Sequence, residues 1–307
     1  MLGLETPVER LQHMNQPAYE FYLNRNPGID LAADRLEIGV CAQHNNGGID
    51  VDLWWRSSIA GLFPVGEAAG AHGVARPGGA ALNSAQVGAT RAAQWIAARE
   101  QGAARADEGW QELAGDALQK ARSLLEAACG REESSGVLID DVLMESTRAM
   151  SDNAGLVRSR QGLEELARNV AEWRRRVVDE CVVDPTSRRS VDRLFLVRDI
   201  LDVQAVYVAA MLDHLDHGVG SRGSVLYTDP DGDLPVSWWN DGADLDVEEI
   251  FRHRLDSKAH HGVTQRVSVD AVGEAIHAHW GPVRPIPTED EFLENVLKTY
   301  RVDHNIH

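Results

Sequence analysis

Apolar and polar residues along this chain follow two different rhythms. From about residue 108 onward, apolar positions recur every three or four residues. The stretches Trp110 to Cys129, Val137 to Met150, Gly162 to Val183 and Ser190 to His217 each read as amphipathic helices. Together they predict an antiparallel bundle of roughly three to four helices, with Leu113, Leu118, Leu124 and Leu125 among its buried residues. Upstream the pattern is shorter. Ile49 to Leu53 alternates apolar and acidic residues, as a half-exposed strand does, while Leu36 to Val40 and Leu62 to Val65 read as strands, the latter buried. Gly47-Gly48 marks a turn between the first two of these. Ala80 to Arg99 is helical and rich in Ala and Gly, so its backbone can be approached closely. Residues 1–36 read as helical and irregular, with a turn at Pro27-Gly28. Ser224 to Tyr227 reads as a strand. Beyond it the pattern is mixed, with Trp238-Trp239, several histidines and the prolines Pro282, Pro285 and Pro287. There is no internal repeat and no low-complexity tract.

Composition narrows the class. At 307 residues, 43% hydrophobic and 25% charged, the chain has an ordinary globular make-up and room for two or three structural units. The net charge of −18 argues against nucleic acid or an anionic membrane as the main partner. A small anionic ligand stays compatible, because one local arginine outweighs a distant acidic surface. Cys41, Cys129 and Cys181 are far apart and form no CxxC pair, which suggests neither a disulfide framework nor a zinc site. No apolar run approaches the ~20 residues of a membrane span. Met1 to Arg10 carries Glu5 and Glu9 and no apolar core, unlike a signal peptide, so a cytoplasmic location is expected.

Candidate chemistry concentrates in one stretch. Gly61-Leu62-Phe63-Pro64-Val65-Gly66-Glu67 reads as a short strand ending in Gly-Glu. His72-Gly73-Val74-Ala75-Arg76-Pro77-Gly78-Gly79-Ala80-Ala81-Leu82-Asn83 follows as a glycine-rich loop entering a helix. Glu67 at a strand end can accept hydrogen bonds from sugar or ribityl hydroxyls, and Gly66 has no side chain to block them. Taken alone, Gly-Glu reads equally as an acidic N-cap or a solvated loop end. At Ala80-Ala81-Leu82, the free N–H groups and the positive dipole end favour negative charge. Taken alone, this too is an ordinary Ala-rich helix start. Arg76 is suited to gripping a carboxylate through its planar fork.

The order His-Gly-x-x-Arg-x-Gly-Gly, placed after Gly-Glu, resembles the second FAD-contacting segment of the fumarate reductase/succinate dehydrogenase flavoproteins. Gln43-His44-Asn45-Asn46-Gly47-Gly48-Ile49 resembles the same family's His-x-x-Met-Gly-Gly-Ile segment. The resemblance implies the C-terminal part of an FAD-dependent oxidoreductase, of class α/β plus α. Residues 1–36 would be a remnant of the cap domain, and 37–107 the second half of a Rossmann-like FAD-binding domain. A helical domain would occupy 108–228 and a mixed C-terminal extension 229–307. It further implies that Gly66, Glu67, Gly79, Ala81 and Leu82 contact FAD, that Arg76 is catalytic, and that Gln43, His44 and His72 face the substrate. Two departures stand out. The family's Gly-Gly-Asn-Ser-Leu is Gly78-Gly79-Ala80-Ala81-Leu82 here, which keeps backbone contacts and loses two polar side chains. The family's substrate histidine, four residues before the glycine pair, is Gln43 here, and His44 stands one residue late. Gln43 can hydrogen-bond a carbonyl but carries no charge.

Other motifs lead nowhere. Gly218-Val219-Gly220-Ser221-Arg222-Gly223 matches G-x-G-x-x-G but follows a helix and precedes a strand, the reverse of a dinucleotide fingerprint. It looks more like the family's Ser-Arg-Gly segment at the close of the helical domain. Asp229, Asp231 and Asp233 alternate like calcium ligands, yet Leu234 and Asn240 stand where an EF-hand needs Gly and Glu. His253, His260, His261, His277 and His279 lack a zinc spacing, and no metal is expected. A βαβ pyrophosphate fingerprint and its later acid are absent from the sequence. The expectation is therefore a hydride-transferring flavoenzyme acting on an organic, carboxylate-type substrate, whose N-terminal FAD-binding half is supplied by the same gene or by a partner chain. A non-catalytic helical interaction protein with a degenerate flavin region is the alternative.

Overall fold

Thr6 opens the first helix with a reciprocal cap. Its hydroxyl accepts from the Glu9 amide at 3.2 Å, and the Glu9 carboxylate accepts from the Thr6 amide at 2.9 Å. Pro7 occupies the first turn, where its missing N–H costs nothing. Helix α1 (Pro7–Arg25) is broken at Asn15 (φ −151°, ψ 62°), two residues before Pro17. The Asn15 side chain then re-caps the chain by accepting from the Ala18 amide at 3.3 Å. Gly28 takes φ +97°, completing the expected Pro-Gly turn. This computed structural model describes residues 6–34, 47–72, 79–99, 109–132, 136–184, 186–223, 225–235, 247–270 and 275–283, with positions 288, 295 and 298. It divides into two units, Met1–Asn45 and Asn46–His307. No residue of α1 is buried.

The second unit is a mixture of helices and short sheets. After helix α2 (Ala80–Arg99) come α3 (Trp110–Cys129), α4 (Ile139–Ala154), α5 (Arg160–Asp179) and α6 (Arg188–Asp216). The bounds of α2 and α3 are those the periodicity predicts. Between the later helices run two-residue strands, β1 (Val137–Leu138), β2 (Val157–Arg158) and β3 (Cys181–Val182). β1 pairs with β3, and β2 with β4 (Leu226–Asp233), both parallel. Periodicity alone read β1 and β3 as helix. Each lies at a helix end, where the ladder partner comes from far along the chain.

The core follows the 3–4 spacing. α5 buries Leu163, Leu166, Val170, Trp173 and Val177, and α6 buries Leu194, Val197, Leu201 and Val208. α4 adds Ile139 and Val142 to the same cluster. Full burial of each such side chain contributes roughly 1.5–3 kcal/mol. α3 joins only by its second half. Ala128 is buried and Leu124 and Leu125 pack against the cluster, but Leu118 is 62% exposed. The expected burial of Leu118 fails because the first half of α3 has no described neighbour on that face; the Leu113 side chain lies outside the described residues. Arg131 ties the end of α5 to β3, donating to the Val178 and Cys181 carbonyls at 2.7 and 2.8 Å.

Strands β5 (Val263–Val269) and β6 (Ile276–Pro282) form an antiparallel hairpin in register from Val263↔Pro282 to Val269↔Ile276. The hairpin docks on α6 through Asp213, whose Oδ2 accepts from Gln265 Nε2 at 2.7 Å and from Trp280 Nε1 at 2.8 Å. The Gly-x-Gly segment lies between α6 and β4. Its Ser221 is buried, and the Ser221 hydroxyl accepts from the Tyr227 amide at 2.9 Å. Asp229 pairs with Arg254 at 2.8 Å. Among the described residues no group of three or more His, Cys, Asp or Glu is placed to hold a metal, and no helix is long and apolar enough to cross a membrane. Leu36 to Val40, Ser224, Trp238-Trp239, Pro285 and Pro287 lie outside the described residues.

Candidate functional site

Of the three strands expected upstream of α2, the two within the described residues do not form. Asp52 folds Ile49 to Leu53 into a turn instead. Its carboxylate accepts from the Trp54 and Arg56 amides at 2.8 and 3.0 Å and from Arg56 Nε at 2.6 Å, which holds its acidity in the ionised direction against partial burial. The Asp52 amide in turn donates to the Arg56 carbonyl at 3.0 Å. A short polar side chain captures the local amides that a ladder would need. Leu62 to Val65 is neither buried nor paired as a strand. Pro64 is buried, but Leu62 and Val65 are exposed. The Leu62 backbone is engaged locally, with its amide on Ile59 and its carbonyl on Ser57, and Pro64 has no N–H to offer.

The turn at Asp52 presents two tryptophans to α2. Trp54 is buried against Trp95, with ring centroids 6.0 Å apart. The Arg91 guanidinium lies 4.5 Å from the Trp54 ring centroid, and that of Arg56 4.0 Å from Trp95. Trp55 takes a left-handed φ of 57° and lays its indole over Gly88, at the middle of α2.

The glycine pair and the Gly-Glu segment meet directly. The Ile49 amide donates to the Ala68 carbonyl at 2.9 Å, and the Gly70 amide donates back to Ile49 at 2.9 Å, forming a parallel bridge between Ile49 and Ala69. Gly48 must be glycine here: a Cβ would stand 2.6 Å from the Ala68 carbonyl oxygen. Gly66 starts a single 3-10 turn, Gly66–Ala68, with φ +63°. That turn packs on the first half of α2, where a Cβ at Gly66 would meet Ala85 at 3.5 Å. Three segments separated in sequence thus converge: Gly48-Ile49, Gly66–Ala68 and the start of α2.

Of the residues singled out by sequence, Gly66, Glu67, Gly79, Ala81 and Leu82 lie on this convergence or on the first turn of α2. Glu67, Gly79 and Leu82 are exposed, and Ala81 is half-buried. The Leu82 side chain faces solvent, which leaves its backbone as the useful part. His72 is half-buried, two residues beyond Gly70. Gln43, His44 and Arg76 lie outside the described residues. A cleft of about 860 Å³ opens beside the site, lined by Asp50, Trp54, Arg56, Ile59, Phe63 and Arg266 among others. None of the predicted cofactor residues lines it. Its charges are already matched, Arg56 with Asp52, and Arg266 with Asp50 at 2.8 Å.

No protein-family model matches the chain. One of the subunits of the fumarate reductase (CoM/CoB) of Methanothermobacter marburgensis is 39% identical over 66 residues, 21% of this chain and 12% of that protein. In structure, a mutant of the E. coli quinol fumarate reductase FrdA superposes with a TM-score of 0.67 at 20% identity, over 92% of this chain and 43% of that one. A quinol-fumarate reductase with menaquinol molecules gives 0.62 at 19%, over 93% and 45%. Mycobacterium smegmatis Sdh1 in complex with UQ1 gives 0.55 at 18%, over 97% and 44%. The fold is that of the C-terminal part of a fumarate reductase/succinate dehydrogenase flavoprotein. The chain spans less than half the length of these flavoproteins.

Within this flavoprotein fold, sequence reasoning missed the supports of the site. Asp52, Trp54, Trp55 and Arg266 carry no motif. Asp52 two residues before a Trp-Trp pair is a turn signal legible in hindsight. The pairing of Asp50 with Arg266, more than 200 positions apart in the chain, has no local signal.

Proposed function

We propose that the chain is the flavin-side part of an FAD-dependent oxidoreductase acting on a small organic, carboxylate-bearing substrate. The supporting observation is the convergence of Gly48-Ile49, Gly66–Ala68 and the start of α2, three segments that two separate motifs single out. FAD fits this corner in kind. Gly66 turns the backbone through a left-handed φ of +63° beside Ala85 of α2, Glu67 offers an exposed carboxylate for ribityl hydroxyls, and the first-turn amides of α2 have no intrahelical acceptor. In this reading, residues 37–107 are the second half of a Rossmann-like domain, 108–228 a helical domain and 229–307 an extension, with 1–36 from a cap.

FAD, when bound, supplies hydride exchange with the substrate. The chain's residues do the rest. Glu67 holds the cofactor, with Gly66, Gly79, Ala81 and Leu82 contributing backbone. The positive end of the α2 dipole favours negative charge where it points. Arg76 grips a substrate carboxylate bidentately and holds a proton on its guanidinium, while Gln43, His44 and His72 orient the substrate by hydrogen bonds. The pyrophosphate cradle comes from another stretch of polypeptide, and the location is cytoplasmic.

A visible absorption spectrum tests the reading. Expressed with the polypeptide that carries the cradle, the chain should purify with a flavin band, and Glu67→Ala should lower the flavin content per chain. A colourless assembly of full stoichiometry refutes it. The isolated chain should bind FAD weakly or not at all; a sub-micromolar affinity by calorimetry contradicts the division of the site.

A further inference from the structure

Trp280 of β6 stands among His214, His217 and His260, its ring centroid 5.3, 5.0 and 5.8 Å from theirs. His214 lies in the last turn of α6, His217 caps that helix, and His260 comes from the loop before β5. Strand alternation explains how the hairpin meets them. Gln265 and Trp280 are register partners, and both donate to Asp213 Oδ2. The next pair, Arg266 and His279, belongs to the other face, where Arg266 reaches Asp50 at 2.8 Å. The hairpin thus clasps α6 with one face and the turn after Ile49 with the other.

The surroundings of His214 resist a positive charge. Burial opposes it most, followed by Arg222 of the Gly-x-Gly segment, while Asp213 favours it; Arg158 of β2 and His260 oppose it further, and its pKa falls to about 4. Asp213 is already engaged by Gln265 and Trp280, and its Oδ1 lies 3.3 Å from His217 Nδ1. The other acid of the cluster, Asp256, has a side chain only 3% exposed. Its oxygens accept no hydrogen bond among the described residues and lie 3.6 Å from Arg222, 3.7 Å from His260 and 3.3 Å from His261. With the hairpin lifted away, His214 would meet water at the C-terminal end of α6, where the helix dipole favours positive charge. The docked and lifted hairpins therefore differ in the charge they tolerate on His214.

We propose that hairpin β5–β6 is an acid-released clasp: protonation of His214 lifts Trp280 off α6 and takes Arg266 from Asp50. A two-stranded hairpin is marginal without a surface to pack on, so once lifted it frays. The helical core around Leu163, Leu166, Leu194 and Leu201 stays folded. Acid thereby loosens the turn beside the Gly48–Ala68 contact before the rest of the unit opens. The clasp stands on the contacts between α6 and the hairpin, and it holds whether or not that corner binds flavin.

Hydrogen exchange on the full chain tests it, with each amide's protection corrected for the intrinsic rate at that pH. A proton taken up near 6.5 when lifted and near 4 when docked favours the lifted state by up to roughly thirtyfold at about pH 5. Between about pH 7.5 and 5, amides of β5 and β6 should therefore lose at least ~10-fold in protection while those of α5 keep theirs. His214→Gln takes up no such proton and should keep the hairpin protected in acid. Trp280→Phe keeps a ring but loses the bond to Asp213, so its hairpin should open at a higher pH than that of the wild type. A hairpin that stays protected at the lower pH overturns the proposal, as does simultaneous loss of protection in β5, β6 and α5. Release undiminished in His214→Gln overturns it and moves the acid sensitivity to Asp213 or another histidine. An opening pH that Trp280→Phe leaves unchanged overturns it as well.

Discussion

The indole of Trp55 lies so close to Gly88 that a Cβ there would stand 2.5 Å from Nε1 and 2.7 Å from Cε2. Two opposite effects therefore meet at one position. Alanine in a helix interior is favoured over glycine by roughly 1 kcal/mol. Overpacking a ring costs roughly 1–3 kcal/mol when the ring cannot move. Trp55 sits at positive φ in a turn fixed by Asp52, so its freedom to yield is small.

Gly88→Ala should therefore destabilise the second unit by about 1 kcal/mol net, read by urea denaturation followed through tryptophan fluorescence. Stabilisation instead would mean that the indole swings aside, and that the Trp55–Gly88 contact does not position the loop.

Leu166 and Leu118 have the same side chain and the same sequence periodicity, but one is fully buried and the other largely exposed. Leu166→Ala should cost roughly 2–5 kcal/mol through lost burial and a cavity. Leu118→Ala should stay within about 0.5 kcal/mol. Parallel melts of the two variants check the difference.

That pair also marks where sequence reading stops. Periodicity places a helix and its apolar stripe, so α2, α3 and the core faces of α5 and α6 were legible. Whether a neighbour covers the stripe is set by tertiary packing, and the first half of α3 has none described. The site divides in the same way. Gly48 and Gly66 were legible as positions that call for glycine, the first for close backbone approach and the second for its positive φ. The strands expected at Ile49 to Leu53 and Leu62 to Val65 failed because Asp52 captures the local amides and Pro64 has no N–H for a ladder, which alternation does not register. Hairpin β5–β6 was invisible because its anchor, Asp213, lies on a helix about 50 residues upstream.

His214 gives the fold a pH dependence of definite sign. Burial, then the charge of Arg222, push its pKa down to about 4, against an opposing pull from Asp213. The unfolded chain, near 6.5, binds a proton that the folded chain refuses between those values. Stability from this group is complete above pH 6.5 and falls as pH drops toward 4, by at most about 3 kcal/mol. His214→Gln should flatten that part of the acid limb in urea melts at pH 7, 5.5 and 4.5. An unchanged slope would place the acid sensitivity in the carboxylates instead.

Arg76 and Glu67 divide the proposed chemistry between substrate and cofactor, so paired variants separate them. Arg76→Lys keeps a positive charge but loses the planar fork that pairs both carboxylate oxygens. In the assembled flavoenzyme it should retain its flavin and lose at least ~100-fold in turnover, about 2.7 kcal/mol of transition-state stabilisation. Glu67→Ala removes an acceptor from the elbow between Gly66 and α2 and touches no substrate group. It should release flavin first, with the remaining holoenzyme turning over at close to the normal rate. Measuring flavin content and single-turnover reoxidation on the same preparations resolves the two effects. If Arg76→Lys holds its flavin and works normally, the His72-to-Gly79 loop is a structural connection, and the carboxylate grip must come from another residue facing the same corner.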